Sequence, residues 1–117
     1  MSTIRAFTTI EQNRKLADIL PLESADMWYD NDGESIAGRP EVRIYSFVGL
    51  ASINIPCWSL AALLKTLNFP SLTQNKEDEW EVCVFDHDND DYIEKTASNP
   101  IDACYEMILK LHELNLL

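Results

Sequence analysis

The spacing of apolar residues predicts three helices set between short strands. Ile10, Leu16, Ala17 and Leu20 fall near one face of a helical period. Two overlapping capping boxes precede them, Thr8 with Glu11 and Thr9 with Gln12. In each, the threonine oxygen accepts from an orphan backbone N–H three residues on, and the acid or amide reaches back. Phe7 is placed to pack over that first turn. Pro21 disfavours helical geometry at Leu20 and stops the helix there. Leu60, Leu63, Leu64 and Leu67 form an i, i+3, i+4, i+7 stripe for a second helix, opened by Pro56 or Ser59 and followed by Pro70. The third helix has the fullest set of signals. Ser98 or Asn99 caps it, Pro100 stands near its first position, and Asp102 complements the N-terminal dipole. Ile101, Cys104, Tyr105, Ile108 and Leu111 make its inner stripe. Glu106 and Lys110 pair at i, i+4 on the other side, and the helix runs to about Leu114.

Strand signals fill the intervals. Met1 to Phe7 reads as a tail or a first strand. Met27, Trp28 and Tyr29 suit a short strand, and Asn31-Asp32-Gly33 fits a type I′ hairpin turn. Gly38-Arg39-Pro40 is a second breaker, and Val42 to Val48 is β-branched and aromatic. Gly49 marks a bulge or turn before Ile53 and Ile55. Ser71 to Asp78 reads as a polar loop. Trp80 to Phe85 is apolar on both faces, which predicts a central strand. Asp86 to Asp91 is a turn, and Tyr92 to Thr96 returns as its partner. The expected fold is α+β: a single layer pair, with a small, mostly antiparallel sheet of three to five strands packed with three helices. No repeat or linker divides the chain, so residues 1–117 are read as one domain.

Composition sharpens this picture. Twenty acids face nine Lys and Arg in 117 residues, giving a formal charge of -11 at pH 7, while 46% of the residues are hydrophobic. The chain is too apolar to be wholly disordered. Its negative field would repel a phosphate backbone, which argues against direct nucleic-acid binding. No apolar run approaches the roughly 18 residues of a membrane span. Charges at Arg5, Glu11, Arg14, Lys15 and Asp18 leave no signal-peptide core. Three cysteines, Cys57, Cys83 and Cys104, are an odd set without a C-x-x-C spacing, which reads as reduced thiols in a cytoplasmic protein.

The stretches T-I-E-Q at Thr9, A-D-M at Ala25, I-P-C-W-S-L-A-A-L-L at Ile55 and N-P-I-D-A-C-Y-E-M-I at Asn99 carry a resemblance. The chain, from Thr9 onward, resembles short uncharacterised proteins encoded by phages and mobile elements of Bacteroides-type bacteria. The resemblance implies a cytosolic, phage-related setting and transfers no activity and no site residues.

Candidate chemistry is dominated by charge. Glu77, Asp78, Glu79, Glu81, Asp86, Asp88, Asp90, Asp91 and Glu94 lie together with no Lys or Arg between them. Glu23, Asp26, Asp30, Asp32 and Glu34 form a second cluster. Gathered on one face, these acids would attract a basic partner or imitate DNA phosphates; dispersed, they keep the protein soluble. Of Trp28, Trp58 and Trp80, two or more are expected in the core, and one left exposed beside the acids would be an interface anchor, with Trp28 and Trp58 taken as the candidates. Asp86, Asp88 and Asp90 begin a calcium loop, but Asp91 replaces its glycine and Ala97 its last glutamate, so an acid-rich turn is the simpler reading. Cys57-Trp58 resembles the nucleophile helix of papain-like peptidases, with a dipole-lowered thiol and His87 as its base, yet the upstream glutamine is missing. Cys83 and His87 lack a second ligand pair for zinc. His112 suits a helix C-terminus. Leu114, Leu116 and Leu117 either pack back on the sheet or join a second subunit as a homodimer. The reading is a non-enzymatic interaction protein with an unidentified protein partner, acting through Glu77, Asp78, Glu79, Glu81, Asp86, Asp88, Asp90, Asp91, Trp28 and Trp58, without catalytic residues, metal, cofactor or membrane. A DNA mimic and a Cys57–His87 hydrolase are its alternatives.

Overall fold

The computed structural model describes residues 6–30 and 54–117. The fold is α+β. In chain order it comprises α1 (Ile10–Ala17), a 3-10 turn (Leu22–Ser24), β1 (Met27–Asp30), β2 (Asn54–Cys57), α2 (Leu60–Thr66), β3 (Ser71–Gln74), β4 (Trp80–Asp86), β5 (Asp91–Ala97) and α3 (Pro100–Glu113). The Asn31-Asp32-Gly33 turn, the Gly38–Pro40 breaker, the 42–48 strand and Gly49 lie outside the described residues.

Each helix starts where a side chain satisfies its orphan N–H groups. Thr9, not Thr8, closes the α1 capping box: its hydroxyl accepts from Gln12 N at 3.2 Å, and Gln12 Oε1 accepts from Thr9 N at 3.0 Å. The regular helix stops at Ala17, although Leu20 N still donates to Leu16 O at 2.7 Å. Ser59 caps α2, and Asp26 accepts from both the Ser59 amide and its hydroxyl. Pro56 belongs to β2, so it does not open the helix. Asn99 caps α3, with Pro100 in the first turn. Gln12 Nε2 donates to Asp102 Oδ1 at 2.7 Å and ties the start of α1 to the start of α3.

Among the described residues, the strands fall into a two-stranded and a three-stranded group. β1 and β2 pair antiparallel, and β3, β4 and β5 make an antiparallel sheet with β4 in the centre. Residues 71–74 are therefore a strand, where the sequence reads as a loop. They are an edge strand in which only Leu72 is half-buried, opposite Val82; Ser71, Thr73 and Gln74 are exposed and polar. In β4, Val82 and Val84 point into the core, and α3 packs over β4 and β5 on that side. Ile101, Cys104, Ile108 and Leu111 of α3 are buried, with Ala103 and Met107 alongside, while Tyr105 is only half-buried. Leu16, Trp58 and Leu63 complete one contiguous core. Among the described residues, no helix is long and apolar enough to cross a membrane.

Candidate functional site: the open face of the three-stranded sheet

Side chains alternate across a strand, so β4 sends its odd-numbered residues away from α3. Glu81, Cys83 and Phe85 stand on that outer face. The register sets Thr73 and Thr96 beside Glu81, Ser71 and Glu94 beside Cys83, and Tyr92 beside Phe85. Ser71, Thr73, Tyr92, Glu94 and Thr96 are exposed, and Glu81, Cys83 and Phe85 are half-buried by their neighbours. This face is open to solvent.

Its end nearest the β4–β5 turn is aromatic. The Phe85 ring meets Tyr92 at 5.1 Å between centroids with 66° between planes, and His87 at 4.7 Å with 81°. Both are edge-to-face contacts, the arrangement that ring quadrupoles favour. Tyr92 is nevertheless 64% exposed, and Phe69 is 83% exposed. Phe69 lies two residues before β3, outside its pairing with β4. Phe69 has φ 49, an unfavourable backbone for an aromatic residue.

The middle of the face is acidic. Glu81 and Glu94 are diagonal neighbours across the β4–β5 register, and the Glu94 carboxyl holds the Glu81 pKa above the usual carboxylate range, with partial desolvation and the Glu79 charge adding to it. The Cys83 thiol is pushed up by desolvation and by the Glu94 and Glu81 charges, and a Ser71 hydrogen bond opposes them.

The remaining predicted residues divide by place. Glu77, Asp78 and Glu79 sit in the β3–β4 turn, where Asn75 Oδ1 accepts from Glu77 N and Glu79 N at 2.9 and 3.0 Å. Asp88, Asp90 and Asp91 sit at the opposite end of the sheet. Asp86 is turned inward and only 7% exposed. It accepts from Asn89 Nδ2 at 2.7 Å and Asp88 N at 3.0 Å, contacts that hold its carboxyl below the usual range. Asp86 is thus a turn-former, which corrects its assignment to an interaction surface. Trp58 is corrected more strongly: it is fully buried, with Nε1 donating to Ser24 Oγ at 2.9 Å. Trp28 lies in β1, in register with Pro56. Glu23, Asp26 and Asp30 belong to the 3-10 turn and β1 region, and Asp32 and Glu34 lie outside the described residues.

The thiol reading is also corrected. Cys57 lies in β2, not on the helix, and is fully buried. Desolvation raises its pKa, outweighing the contact with the Thr8 hydroxyl. His87 is exposed against Phe85 and is not among its hydrogen-bond partners. Among the described residues, no three His, Cys, Asp or Glu side chains converge to hold a metal ion. At the C-terminus, Leu116 packs on the core, while Leu114 and Leu117 are 43% and 40% exposed.

Glu94 belongs to the acidic run that the sequence marks, whereas Phe85 and Tyr92 are absent from the sequence-predicted interaction set. Their signal lay in the register: the polar positions of β3 and β5 stand beside the odd positions of β4, which marks that face as solvent-facing. No family model, curated protein or solved structure matches the chain.

Proposed function

We propose that this is a small, non-enzymatic binding protein of the cytoplasm that presents the outer face of its three-stranded sheet to another protein. The observation that carries the reading is Tyr92, 64% exposed on that face yet fixed against Phe85, with the Glu81–Glu94 carboxyl pair beside it. Rigid aromatics ringed by polar groups are the common anatomy of a protein interface. Burial of Cys57 supports the non-enzymatic side of the reading. The resemblance to short phage-encoded proteins supports a setting inside a bacterial cell. Tagged protein should retain a partner from a lysate of the source organism at physiological salt, and a Glu81→Lys, Glu94→Lys variant should release it. Identical capture by both proteins, or no capture by either, would remove the proposal.

A further inference from the structure

The open face discriminates between partners, and this step rests on the binding reading above. Its surface combines two chemistries within one strand length. Phe85 and Tyr92 form an aromatic pair, with Tyr92 exposed. Further along the same strands and on the same face, Glu94 stands two residues from Tyr92 and Glu81 four from Phe85, diagonal neighbours across the β4–β5 register. No Lys or Arg occurs between Glu77 and Glu94, and Lys95 alternates onto the α3 side, paired with Val82. A second copy of the chain complements this surface poorly, because face-to-face packing would bring carboxyl pair toward carboxyl pair. A nucleic acid is excluded by the same charge.

We infer that the outer face of β3–β4–β5 docks an extended, arginine-bearing polypeptide segment, its guanidinium groups on Glu81 and Glu94 and its apolar side chains on Phe85 and Tyr92. Charge complementarity selects a cation. The pairing of carboxylates with aromatic rings selects arginine over lysine, since a planar guanidinium both forks onto carboxylates and stacks on rings, whereas an ammonium is a point charge. An extended segment suits the site because alternate side chains then meet successive rows of the sheet.

The test uses the full chain, isotopically labelled, and three eight-residue peptides in 0.15 M salt. One alternates arginine with leucine, one lysine with leucine, one glutamate with leucine. The arginine peptide should bind with amide shifts confined to Glu81, Cys83, Phe85, Tyr92 and Glu94. The lysine peptide should bind several-fold more weakly and the glutamate peptide not at all. Tyr92→Ala should weaken arginine-peptide binding roughly threefold to tenfold, and Glu81→Gln with Glu94→Gln about tenfold. Glu106→Gln with Glu113→Gln, on the exposed side of α3, should leave it unchanged. Shifts on α3, or affinity indifferent to Tyr92→Ala, would overturn the site. A dimer in sedimentation that Tyr92→Ala dissolves would give the face to a second copy and overturn the arginine partner. If no peptide binds while capture of a protein still depends on Glu81 and Glu94, the arginine segment fails and the binding reading stands; if that capture also fails, both fall.

Discussion

Thr8 holds the backbone of Trp58 from both directions. Thr8 N donates to Trp58 O at 3.0 Å, and Trp58 N donates to Thr8 Oγ1 at 3.0 Å. The same hydroxyl donates to Asn13 Oδ1 and lies 3.6 Å from Cys57 Sγ. Thr8, Asn13, Cys57 and Trp58 are all fully buried, so this polar node joins the start of α1 to the end of β2 inside the core.

Thr8→Val keeps the shape and removes the hydroxyl. It leaves the Trp58 amide without its acceptor and Asn13 Oδ1 without its donor. Buried groups orphaned in this way cost about 1–3 kcal/mol each. Asn13 Nδ2 already has no hydrogen-bond partner. Thr8→Val combined with Asn13→Leu should therefore be less destabilised than the two single losses summed. Urea unfolding of the four proteins in the cycle measures this; simple additivity would contradict the coupling.

The three thiols should differ sharply in reactivity. Cys57 and Cys104 are fully buried, whereas Cys83 is half-buried on the open face. Ellman's reagent should modify one thiol per native chain, Cys83. Glu94→Gln removes a charge that raises the Cys83 pKa, so thiolate at pH 8 should increase and the reaction should quicken, most visibly at low salt. An unchanged rate would contradict the electrostatic link.

Stability should fall in alkali. Desolvation pushes the Cys104 thiol from 9.0 up to about 12. A pKa raised in the folded state favours folding only while both states keep the proton. Above about pH 9 the unfolded chain ionises first, and stability drops by up to ~1.4 kcal/mol per pH unit until the folded thiol also titrates. Cys57 shifts in the same direction. Cys104→Ala should lower stability at pH 7 by leaving a cavity, yet flatten the decline between pH 9 and 11. Unfolding midpoints across that range provide the check.

The cap of α3 offers a local test. Asn99 Oδ1 accepts from Asp102 N at 2.9 Å, and Asn99 Nδ2 donates to Asp102 Oδ2 at 2.8 Å. Asn99→Ala should cost about 1 kcal/mol of stability. Asn99→Ser, which retains a capping oxygen, should cost less.

The helices were legible because each carries its own local chemistry. The Thr9–Gln12 box, Ser59 and Asn99 with Pro100 announce helix starts from within four residues. β3 was not legible, because Ser71, Thr73 and Gln74 carry no strand signal of their own. They are strand by virtue of pairing with Cys83, Glu81 and Trp80. The site failed in sequence for a related reason. Acid count marks residues without saying which face they occupy, so inward-facing Asp86 and buried Trp58 were grouped with Glu81. Phe85 and Tyr92 become a surface feature only once the β4–β5 register is known.

The Thr8–Trp58 bonds and the adjoining Phe7–Ser59 bridge join segments fifty residues apart in sequence. By contrast, β3, β4, β5 and α3 follow one another from Ser71 to Glu113, and their contacts are between neighbours along the chain. Closing the longer loop carries the larger entropic cost. This topology predicts an order of assembly in which the C-terminal sheet and α3 form first and α1 docks onto β2 late, which folding and unfolding rates of variants would measure. Truncations at Val82 or Ile101 then slow folding, whereas Thr8→Val leaves the folding rate nearly unchanged and hastens unfolding. Thr8 is a latch on the finished molecule rather than a part of its beginning.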